Sequence, residues 1–310
     1  MEEMMKELKE AIHEWLVSYK KNSVKASTYD RLLVSLDMME KYPVSRVSID
    51  EISSNELQEY VNQLVDDGYA LSTIKKQIHL IGGWVTHANL MGIISKPIHK
   101  GVKLPTESSV KKSKKELIAY SHEEQKALKA VLYKGDSIAY YAAIIMMETG
   151  MRVGEVLALC WSDINWVRKA VRIEKTVVRL GDSRRCYIQK GAKSYTSNRT
   201  IPLSTEAYDL LKYMKETSTG YSDFIFHNTR GDFLTYETLR WWIKKACDEA
   251  GVPYYGQHVF RHTFATNCYE KGCDVKVLSK FLGHSDVTIT YNVYIHLFGD
   301  ALEEMRLIVG

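Results

Sequence analysis

Residues 171–203 read VRIEKTVVRLGDSRRCYIQKGAKSYTSNRTIPL, and this stretch decides the fold class because it interrupts an otherwise helical pattern. Its β-branched residues are concentrated in short runs, as is typical of strands. The runs are Val171–Val178, Cys186–Ile188 and Thr200–Ile201. Turn residues separate them, at Gly181-Asp182 and again at Gly191. We therefore predict a small antiparallel β-sheet within a chain that is mainly α-helical.

The chain before this sheet begins with a long stretch of helical periodicity. Apolar residues recur at spacings of three and four from Leu8 to Tyr19 and again from Leu32 to Met39, which indicates amphipathic helices. A third helix is expected at the capping box Ser53 to Glu56, and a fourth is expected to open at Ser72. Four such helices can form a bundle with its own core. Residues 1–95 are therefore predicted to be one domain.

A basic segment follows over residues 96–116. It has seven Lys and one Glu between Lys96 and Lys115, which is typical of a solvated linker. Its charge suits it either to lie along DNA phosphates or to act as a solubilising spacer. A second capping box, Ser121 to Glu124, opens a further domain that we assign to residues 117–310. Beyond the sheet we expect helices over Thr205–Lys215, Tyr236–Glu249, Val259–Lys271, Val275–Leu282 and Val287–Leu297.

The composition excludes several classes of protein. With 45% apolar and 26% charged residues, the 310-residue chain is typical of folded globular proteins. It has no apolar run long enough to cross a membrane and no signal-peptide pattern at its start, so no membrane partner is expected and the cytoplasm is the predicted location. Five Cys without a C-x-x-C pair favour neither a disulfide framework nor a zinc site. We expect no metal and no cofactor.

Five motifs in the second domain carry the candidate chemistry. In chain order they are Thr149-Gly-Met-Arg152-Val-Gly-Glu155, Lys193-Ser-Tyr-Thr-Ser-Asn-Arg-Thr-Ile-Pro202, His258-Val-Phe-Arg261, Leu282-Gly-His284-Ser and Tyr294-Ile-His-Leu. Attack on a phosphodiester requires charge stabilisation, a nucleophile, a proton acceptor and a proton donor. The five motifs together contain residue types suited to all four tasks.

In order and spacing, the five motifs resemble the catalytic domain of the tyrosine recombinase family, of the kind found in mobile-element integrases. The resemblance implies an N-terminal helical, SAM-like core-binding bundle followed by an α+β catalytic domain. It also implies a site-specific recombinase that cleaves and rejoins DNA through a covalent 3′-phosphotyrosine intermediate.

The resemblance also implies which residues are catalytic. They are Arg152, Lys193, His258, Arg261, His284 and Tyr294. Arg152 and Arg261 would clamp the scissile phosphate, since a planar guanidinium binds such oxygens in bidentate fashion. Tyr294 would attack phosphorus, with His258 as the general base, and the histidine of the L-G-H motif would hydrogen-bond the phosphate. Glu155 would support the arginines and histidine from behind.

Two of these assignments leave an alternative open. Lys193 would protonate the leaving 5′ oxygen, but Lys190 lies three residues earlier, and Lys193 is preferred for its spacing to Arg199-Thr-Ile-Pro202. Tyr291 lies on the same predicted helical face as Tyr294, three residues earlier, but its distance from the L-G-H motif does not fit the family.

Basic residues outside the motifs are candidates for DNA contacts. They are Lys75, Lys76, Lys111, Lys112, Lys114, Lys115 and Arg240. The resemblance implies double-stranded DNA as the partner, a homotetramer on two DNA sites, and accessory DNA-bending or directionality proteins. The apolar tail over residues 301–309 would dock either on a neighbouring subunit or on its own domain. The chain shows no G-x-x-x-x-G-K-[ST] loop, and we expect no requirement for ATP.

Two other functions compete with this interpretation. A DNA-binding protein that retains the fold without catalysis would be expected to have lost some of the six residues, and none is lost. A type IB topoisomerase shares the tyrosine chemistry but relaxes supercoils without exchanging partners. A nicked duplex that traps covalent protein distinguishes a recombinase from a non-catalytic DNA-binding protein. A two-site recombination assay distinguishes a recombinase from a topoisomerase.

Overall fold

The computed structural model describes residues 6–110, 118–179, 186–191, 198–284, 286–288 and 290–291. The chain divides into two compact units, with the main boundary between Lys114 and Lys115. Over the described residues, no helix has the length and apolar character that crossing a membrane would need.

The first unit is built from four helices. They are α1 (Leu8–Trp15), which one π-helical turn extends over Leu16–Lys20, α2 (Ala26–Met39), α3 (Ser54–Asp66) and α4 (Leu71–Leu90). Their apolar faces meet in one core that includes Leu8, Leu57 and Ile74, each fully buried. Burying side chains of this size contributes roughly 1.5 to 3 kcal/mol each, so this face holds the bundle together.

In the first unit, the N-termini of α3 and α4 lie at or within one residue of the positions that the sequence predicts. The capping box at Ser53 is present: the Ser53 backbone N–H donates to Glu56 Oε2 at 3.0 Å, and the Ser53 hydroxyl caps the first turn. The fourth helix begins at Leu71, with Ala70 as its N-terminal flank, one residue before the expected Ser72. Ser72 therefore lies inside the first turn and does not cap it.

The part of the predicted basic linker up to Val110 packs against the first unit. A short 3₁₀ helix covers Ile98–Gly101, and Ile98 O accepts a hydrogen bond from Ser54 Oγ at 2.7 Å. Lys103 exchanges two bonds with the Gln58 side chain, at 2.8 and 3.2 Å, and Val110 is buried in the core. The segment up to Val110 is thus held against the first unit by backbone contacts, whereas its composition indicated only a solvated linker, and its lysines remain exposed.

The second unit is arranged around one apolar helix. Its helices are α5 (His122–Lys134), α6 (Ile138–Thr149), α7 (Val153–Leu157), α8 (Thr205–Thr217), α9 (Tyr236–Ala250), α10 (Val259–Glu270) and α11 (Val275–Leu282). The helix α6 packs against α5, α8, α9 and α10, so its residues are buried on every side. The second capping box is present, because Ser121 N–H donates to Glu124 Oε2 at 2.8 Å.

The predicted strands form two small sheets. The strands are β1 (Ile164–Asn165), β2 (Ala170–Ile173), β3 (Lys175–Arg179), β4 (Cys186–Lys190) and β5 (Arg199–Pro202). One sheet has the order β1-β2-β5 with antiparallel pairing, and β3 pairs with β4 in the other. The register sets Ile173 opposite Arg199. The prediction of a mainly α chain with small antiparallel sheets is confirmed, but β1 was missed because two residues show no alternation.

Candidate active site

Arg152 lies at the start of α7, directly after the end of α6. Gly150 ends α6 with a left-handed φ of 62°, and a Cβ there would stand 2.4 Å from Phe264 Cδ1. The Arg152 backbone N–H donates to Glu155 Oε2 at 2.8 Å, and Arg152 Nη1 donates to Glu155 Oε1 at 2.9 Å. Because Glu155 lies three residues after Arg152, its side chain can cap the first turn of α7 in this way. It fixes the backbone and the guanidinium of Arg152 through one carboxylate.

Arg261 lies on α10 and is 7% exposed. Its Nη1 donates to Gly150 O at 2.9 Å and its Nη2 donates to Leu282 O at 2.6 Å. Both acceptors stand at helix C-termini, where carbonyl groups lack helical partners and carry partial negative charge. Burial, and then the positive charge of Arg152, lower the pKa of the Arg261 guanidinium to about 9, so it stays cationic at neutral pH.

A third arginine, Arg199, completes the cluster, and the sequence interpretation gave it no role. Its side chain is 6% exposed. Arg199 Nη1 donates to Glu155 Oε1 at 2.9 Å and Nη2 to Glu155 Oε2 at 2.7 Å, a two-pronged ion pair. The signal available in the sequence was a charged residue at the first position of a strand in the second motif.

The C-terminus of α11 brings the three arginines together. Three successive carbonyl groups there each accept from a different arginine. The pairs are Arg199 Nε to Phe281 O at 2.6 Å, Arg261 Nη2 to Leu282 O at 2.6 Å and Arg152 Nη2 to Gly283 O at 2.8 Å. Gly283 has φ 67°, and a Cβ there would stand 3.1 Å from Arg199 Cδ. The glycine of the L-G-H motif is therefore required by both backbone conformation and space.

Glu155 is the carboxylate that the arginine cluster shares, and it is 5% exposed. Burial alone would raise its pKa, but the hydrogen bond and charge of Arg199, with Arg152 adding to them, hold the pKa of Glu155 below its usual value. The carboxylate is therefore ionised at neutral pH. Three guanidinium groups share one negative side chain, an arrangement that favours a bound anion such as a phosphate.

His284 directly follows Gly283, whose carbonyl group accepts a hydrogen bond from Arg152. Its Nδ1 lies 2.7 Å from Thr290 Oγ1, and Thr290 is 1% exposed. Burial, followed by the charges of Arg261 and Arg152, lowers the pKa of His284 to about 4. The imidazole is therefore neutral at pH 7. Thr290 is a second residue that the sequence interpretation missed, since nothing in its type distinguishes it from other threonines.

His258 lies at the N-terminal flank of α10 and is exposed. Its carbonyl accepts from Arg261 N at 3.2 Å, so the two residues of the H-x-x-R motif share the first turn of the helix. His262, which no motif singles out, is half-buried beside it. Burial, and then His258, lower the pKa of His262.

The remaining candidates are either exposed or outside the described residues. Lys75 and Lys76 are exposed on α4, and Arg240 is exposed on α9. Tyr291, the alternative nucleophile, is 55% exposed. Lys111, Lys112, Lys114, Lys115, Lys193 and Tyr294 lie outside the described residues, as does the Lys190 side chain. Of the predicted site, the structure brings together Arg152, Glu155, Arg261 and His284. Within the described ranges, no three His, Cys, Asp or Glu side chains are grouped to hold a metal ion.

The chain is similar to known proteins over most of its length. The family profile described as phage integrase family matches residues 110–300. A XerC-like tyrosine recombinase of Caldanaerobacter subterraneus subsp. tengcongensis is 27% identical over 94% of this chain and 79% of the relative. The transposase from transposon Tn916 of Enterococcus faecalis is 26% identical over 87% of this chain and 70% of the relative.

Solved structures share the fold. The Tn1549 transposon integrase in complex with transposon right end DNA has a TM-score of 0.77 at 20% identity, covering 98% of this chain and 100% of that one. A lambda integrase tetramer bound to a Holliday junction has a TM-score of 0.68 at 17% identity, covering 94% of this chain and 78% of that one.

Proposed function

Because this chain belongs to the phage integrase family and is a site-specific recombinase that cleaves and rejoins DNA, we propose that Arg152, supported by the rest of the arginine cluster, binds the scissile phosphate of a DNA duplex and that Tyr294 attacks it. The observation that carries this proposal is the set of three guanidinium groups fixed to successive carbonyls at the end of α11. The topoisomerase and non-catalytic alternatives are not favoured, since the similar proteins are recombinases, transposases and integrases.

Arg152 is the arginine best placed to touch the phosphate. Its side chain is 37% exposed, and its bonds to Glu155 and Gly283 engage only part of its set of donors. Arg261 is more deeply buried and would act mainly through its charge. Donors fixed before the reaction need no rearrangement as negative charge grows on the phosphorane. In related phosphoryl transfers one such arginine contributes roughly 10³ to 10⁵ in rate.

His284 would serve as a neutral hydrogen-bond donor. For Nε2–H to donate to a phosphate oxygen, Nδ1 must accept, and Thr290 Oγ1 at 2.7 Å is the group that can donate to it. The low pKa of His284 supports this role, because it keeps the ring neutral throughout the physiological range. The tautomer of this histidine would thus be set by one buried hydroxyl.

The proposed reaction is a pair of opposite transesterifications. The Tyr294 oxygen bonds to phosphorus while the bond from phosphorus to the 5′ oxygen breaks, so the strand ends in a 3′-phosphotyrosine and a free 5′-hydroxyl. His258 accepts the phenol proton, and Lys193 donates a proton to the departing oxygen. The incoming 5′-hydroxyl of a partner strand then reverses these steps. Since the ester keeps the energy of the broken bond, the reaction requires no ATP, and the arginines take the place that a metal ion has in other phosphoryl transfers.

Strand exchange requires two cleaved duplexes, and we propose that the chain works as a homotetramer on two DNA sites. The lambda integrase tetramer bound to a Holliday junction, which shares this fold, supports that assembly. Accessory DNA-bending or directionality proteins stay a prediction from the family.

Covalent trapping on nicked DNA tests the proposal. Duplexes selected from a random library by binding to this chain are nicked at successive positions, so that cleavage beside a nick releases a short strand and prevents religation. We expect the wild-type chain to form a denaturation-resistant adduct with one of these duplexes. Tyr294→Phe should bind the same duplex and form no adduct, because the nucleophilic oxygen is missing.

Tyr291→Phe is the matched control, because it removes a phenol three residues earlier in the chain. It should form the adduct at the wild-type rate. Adduct formation by Tyr294→Phe, with loss in Tyr291→Phe, would move the nucleophile to Tyr291. Absence of any adduct from the wild-type chain, on duplexes that it binds, would contradict cleavage by this route.

A further inference from the structure

Arg199 has the geometry of a residue that holds the site and does not touch the DNA. Its side chain is 6% exposed, which leaves little surface for a phosphate, and all three of its nitrogen atoms already donate to protein acceptors. Its bonds lead to two parts of the candidate site at once: the Glu155 carboxylate, and Phe281 O at the end of α11. A residue that only stabilised its own strand would not need hydrogen bonds both to Glu155 and to the end of α11.

We propose that Arg199 is a positioning residue for DNA cleavage, which fixes the Glu155 carboxylate in the orientation that holds Arg152. The proposal rests on the function proposed above and adds to it a residue outside the six catalytic ones. Glu155 stands between the two arginines: Oε1 accepts from Arg152 Nη1 and Arg199 Nη1, and Oε2 accepts from Arg152 N and Arg199 Nη2.

Loss of Arg199 would remove half of the four hydrogen bonds that the two arginines supply to Glu155. The carboxylate is 5% exposed, so water has little access to replace them, and a buried carboxylate without compensation rotates or takes up a proton. Either change loosens the bond from Glu155 Oε1 to the Arg152 guanidinium. Misplacing a substrate-binding group by about 1 Å costs on the order of 10²-fold in rate.

The location of Arg199 extends its effect to the second motif. It is the first residue of β5 and follows Lys193 by six positions. Its backbone is paired with Ile173 on β2, and its side chain is bonded to the end of α11, one turn before His284. The strand β5, which follows Lys193 in the chain, is therefore hydrogen-bonded directly to the arginine cluster at the end of α11.

A lysine cannot replace Arg199 in this role. The three bonds use Nε and both Nη atoms of one planar group, whereas a lysine offers a single nitrogen. Arg199→Lys should therefore keep the positive charge near Glu155 while losing the simultaneous link to α11.

The test compares three variants in single-turnover cleavage of a trapping duplex at saturating protein. Arg199→Met should cleave roughly 10- to 100-fold more slowly, as is typical when the partner of a site residue is removed, while its affinity for the duplex changes less than about 3-fold. Arg199→Lys should fall between this variant and the wild type. Arg172→Met, which removes an arginine that is 57% exposed and paired with Glu174 at 3.5 Å, is the matched control and should cleave normally.

The dependence of cleavage on pH separates positioning from mere structural support. Among the residues that the structure describes, the charged or titratable groups around Glu155 are Arg152 at the start of α7, Arg199 on β5, Arg261 on α10 and Tyr236 on α9. Without Arg199, Glu155 should be protonated at a higher pH, so the acid limb of the cleavage profile of Arg199→Met should move to higher pH. In Arg172→Met this limb should not move.

A double variant tests whether Arg199 acts through Glu155. In a Glu155→Gln background, Arg199→Met should slow cleavage much less than it does in the wild-type background, since residues that act as one unit are not additive. Normal cleavage by Arg199→Met overturns the proposal, and so does a loss of folding stability and cleavage together with an unmoved pH profile. Should Arg199→Met not fold, Arg199→Lys with wild-type cleavage is the overturning result. A wild-type chain that forms no adduct contradicts the proposed function instead.

Discussion

Two groups of basic residues, one in each unit of the chain, differ in their burial. In the first unit, Lys75 and Lys76 are exposed on α4. In the second unit, Arg199 and Arg261 are almost wholly buried, and their guanidinium groups donate to backbone carbonyls and to Glu155. Only Arg152 of that cluster keeps substantial exposure.

This difference indicates a division of work between affinity and chemistry. Exposed lysines bind phosphates through charge alone, with an affinity that falls steeply as salt displaces them. Buried guanidinium groups are costly to desolvate, and that cost is offset here by one carboxylate and several carbonyls. A protein that needed only attraction for DNA would gain nothing from such burial. The cluster in the second unit is therefore suited to holding one phosphate in one orientation.

The largest effect on cleavage is expected at Arg152, in the buried cluster of the second unit. In Arg152→Lys the positive charge stays, but an ammonium cannot donate both to Glu155 Oε1 and to Gly283 O while presenting a flat face to the phosphate. We expect single-turnover cleavage to fall by roughly 10²- to 10³-fold, as for removal of one preorganised donor, with affinity for the duplex nearly unchanged. Both are measured on the same trapping duplex.

Arg168→Lys is the control for Arg152→Lys, because Arg168 lies in the exposed turn between β1 and β2. It should leave cleavage and affinity unchanged. Cleavage by Arg152→Lys at the wild-type rate would show that positive charge alone suffices and that a fixed guanidinium group is not needed at this position.

The sequence predicted the parts of this site that depend on residue type and local spacing. Both capping boxes, the bounds of α11 and the meeting of Arg152, Glu155, Arg261 and His284 agree with the structure. It missed Arg199 because the partners of that side chain are 44 and 82 positions away. One of those partners is a backbone carbonyl, which no residue type reveals.

Two further differences have the same physical origin. Thr290 was missed because its importance comes only from the distance of 2.7 Å to His284 Nδ1. The seven lysines between Lys96 and Lys115 dominate the charge of the predicted linker and indicate a solvated segment, whereas the contacts of its part up to Val110 are made by backbone groups and by a few apolar residues. Patterns of residue type predict elements, but long-range partners of backbone groups come from the tertiary structure.

An intermediate effect is expected at Thr290, the buried hydroxyl beside His284. Thr290→Val keeps the shape of the side chain but removes the donor to His284 Nδ1, so the ring is free to turn and to change tautomer. We expect cleavage to slow about 10-fold, at the lower end of the range for partners of site residues, and duplex affinity to stay constant. Single-turnover rates at pH 7 measure this.

Thr290→Ser restores a hydroxyl at the same place and should recover most of the rate. Thr288→Val, at an exposed position two residues earlier, should have no effect. Equal rates for the valine and serine variants at position 290 would mean that the hydroxyl does not set the state of His284.

The smallest effect on cleavage is expected in the first unit. A variant with Lys75→Gln and Lys76→Gln should cleave at the wild-type rate at low salt and saturating protein, because neither residue belongs to the arginine cluster. Its affinity for the duplex should be lower, and the slope of log affinity against log salt should become shallower by about 0.9 for each phosphate that is no longer neutralised. Binding titrations at several salt concentrations measure that slope.

A variant with Lys126→Gln and Lys212→Gln, two exposed lysines on α5 and α8, removes the same charge from the second unit. If α4 faces DNA, the slope changes in the first double variant and not in the second. Equal slopes in both would mean that the lysines of α4 only add to net charge, and the affinity of the chain would then have to be sought elsewhere in the first unit. A slowed cleavage step at saturation would be more informative still, because it would mean that the exposed lysines of α4 help to orient the scissile phosphate, in addition to the arginine cluster of the second unit.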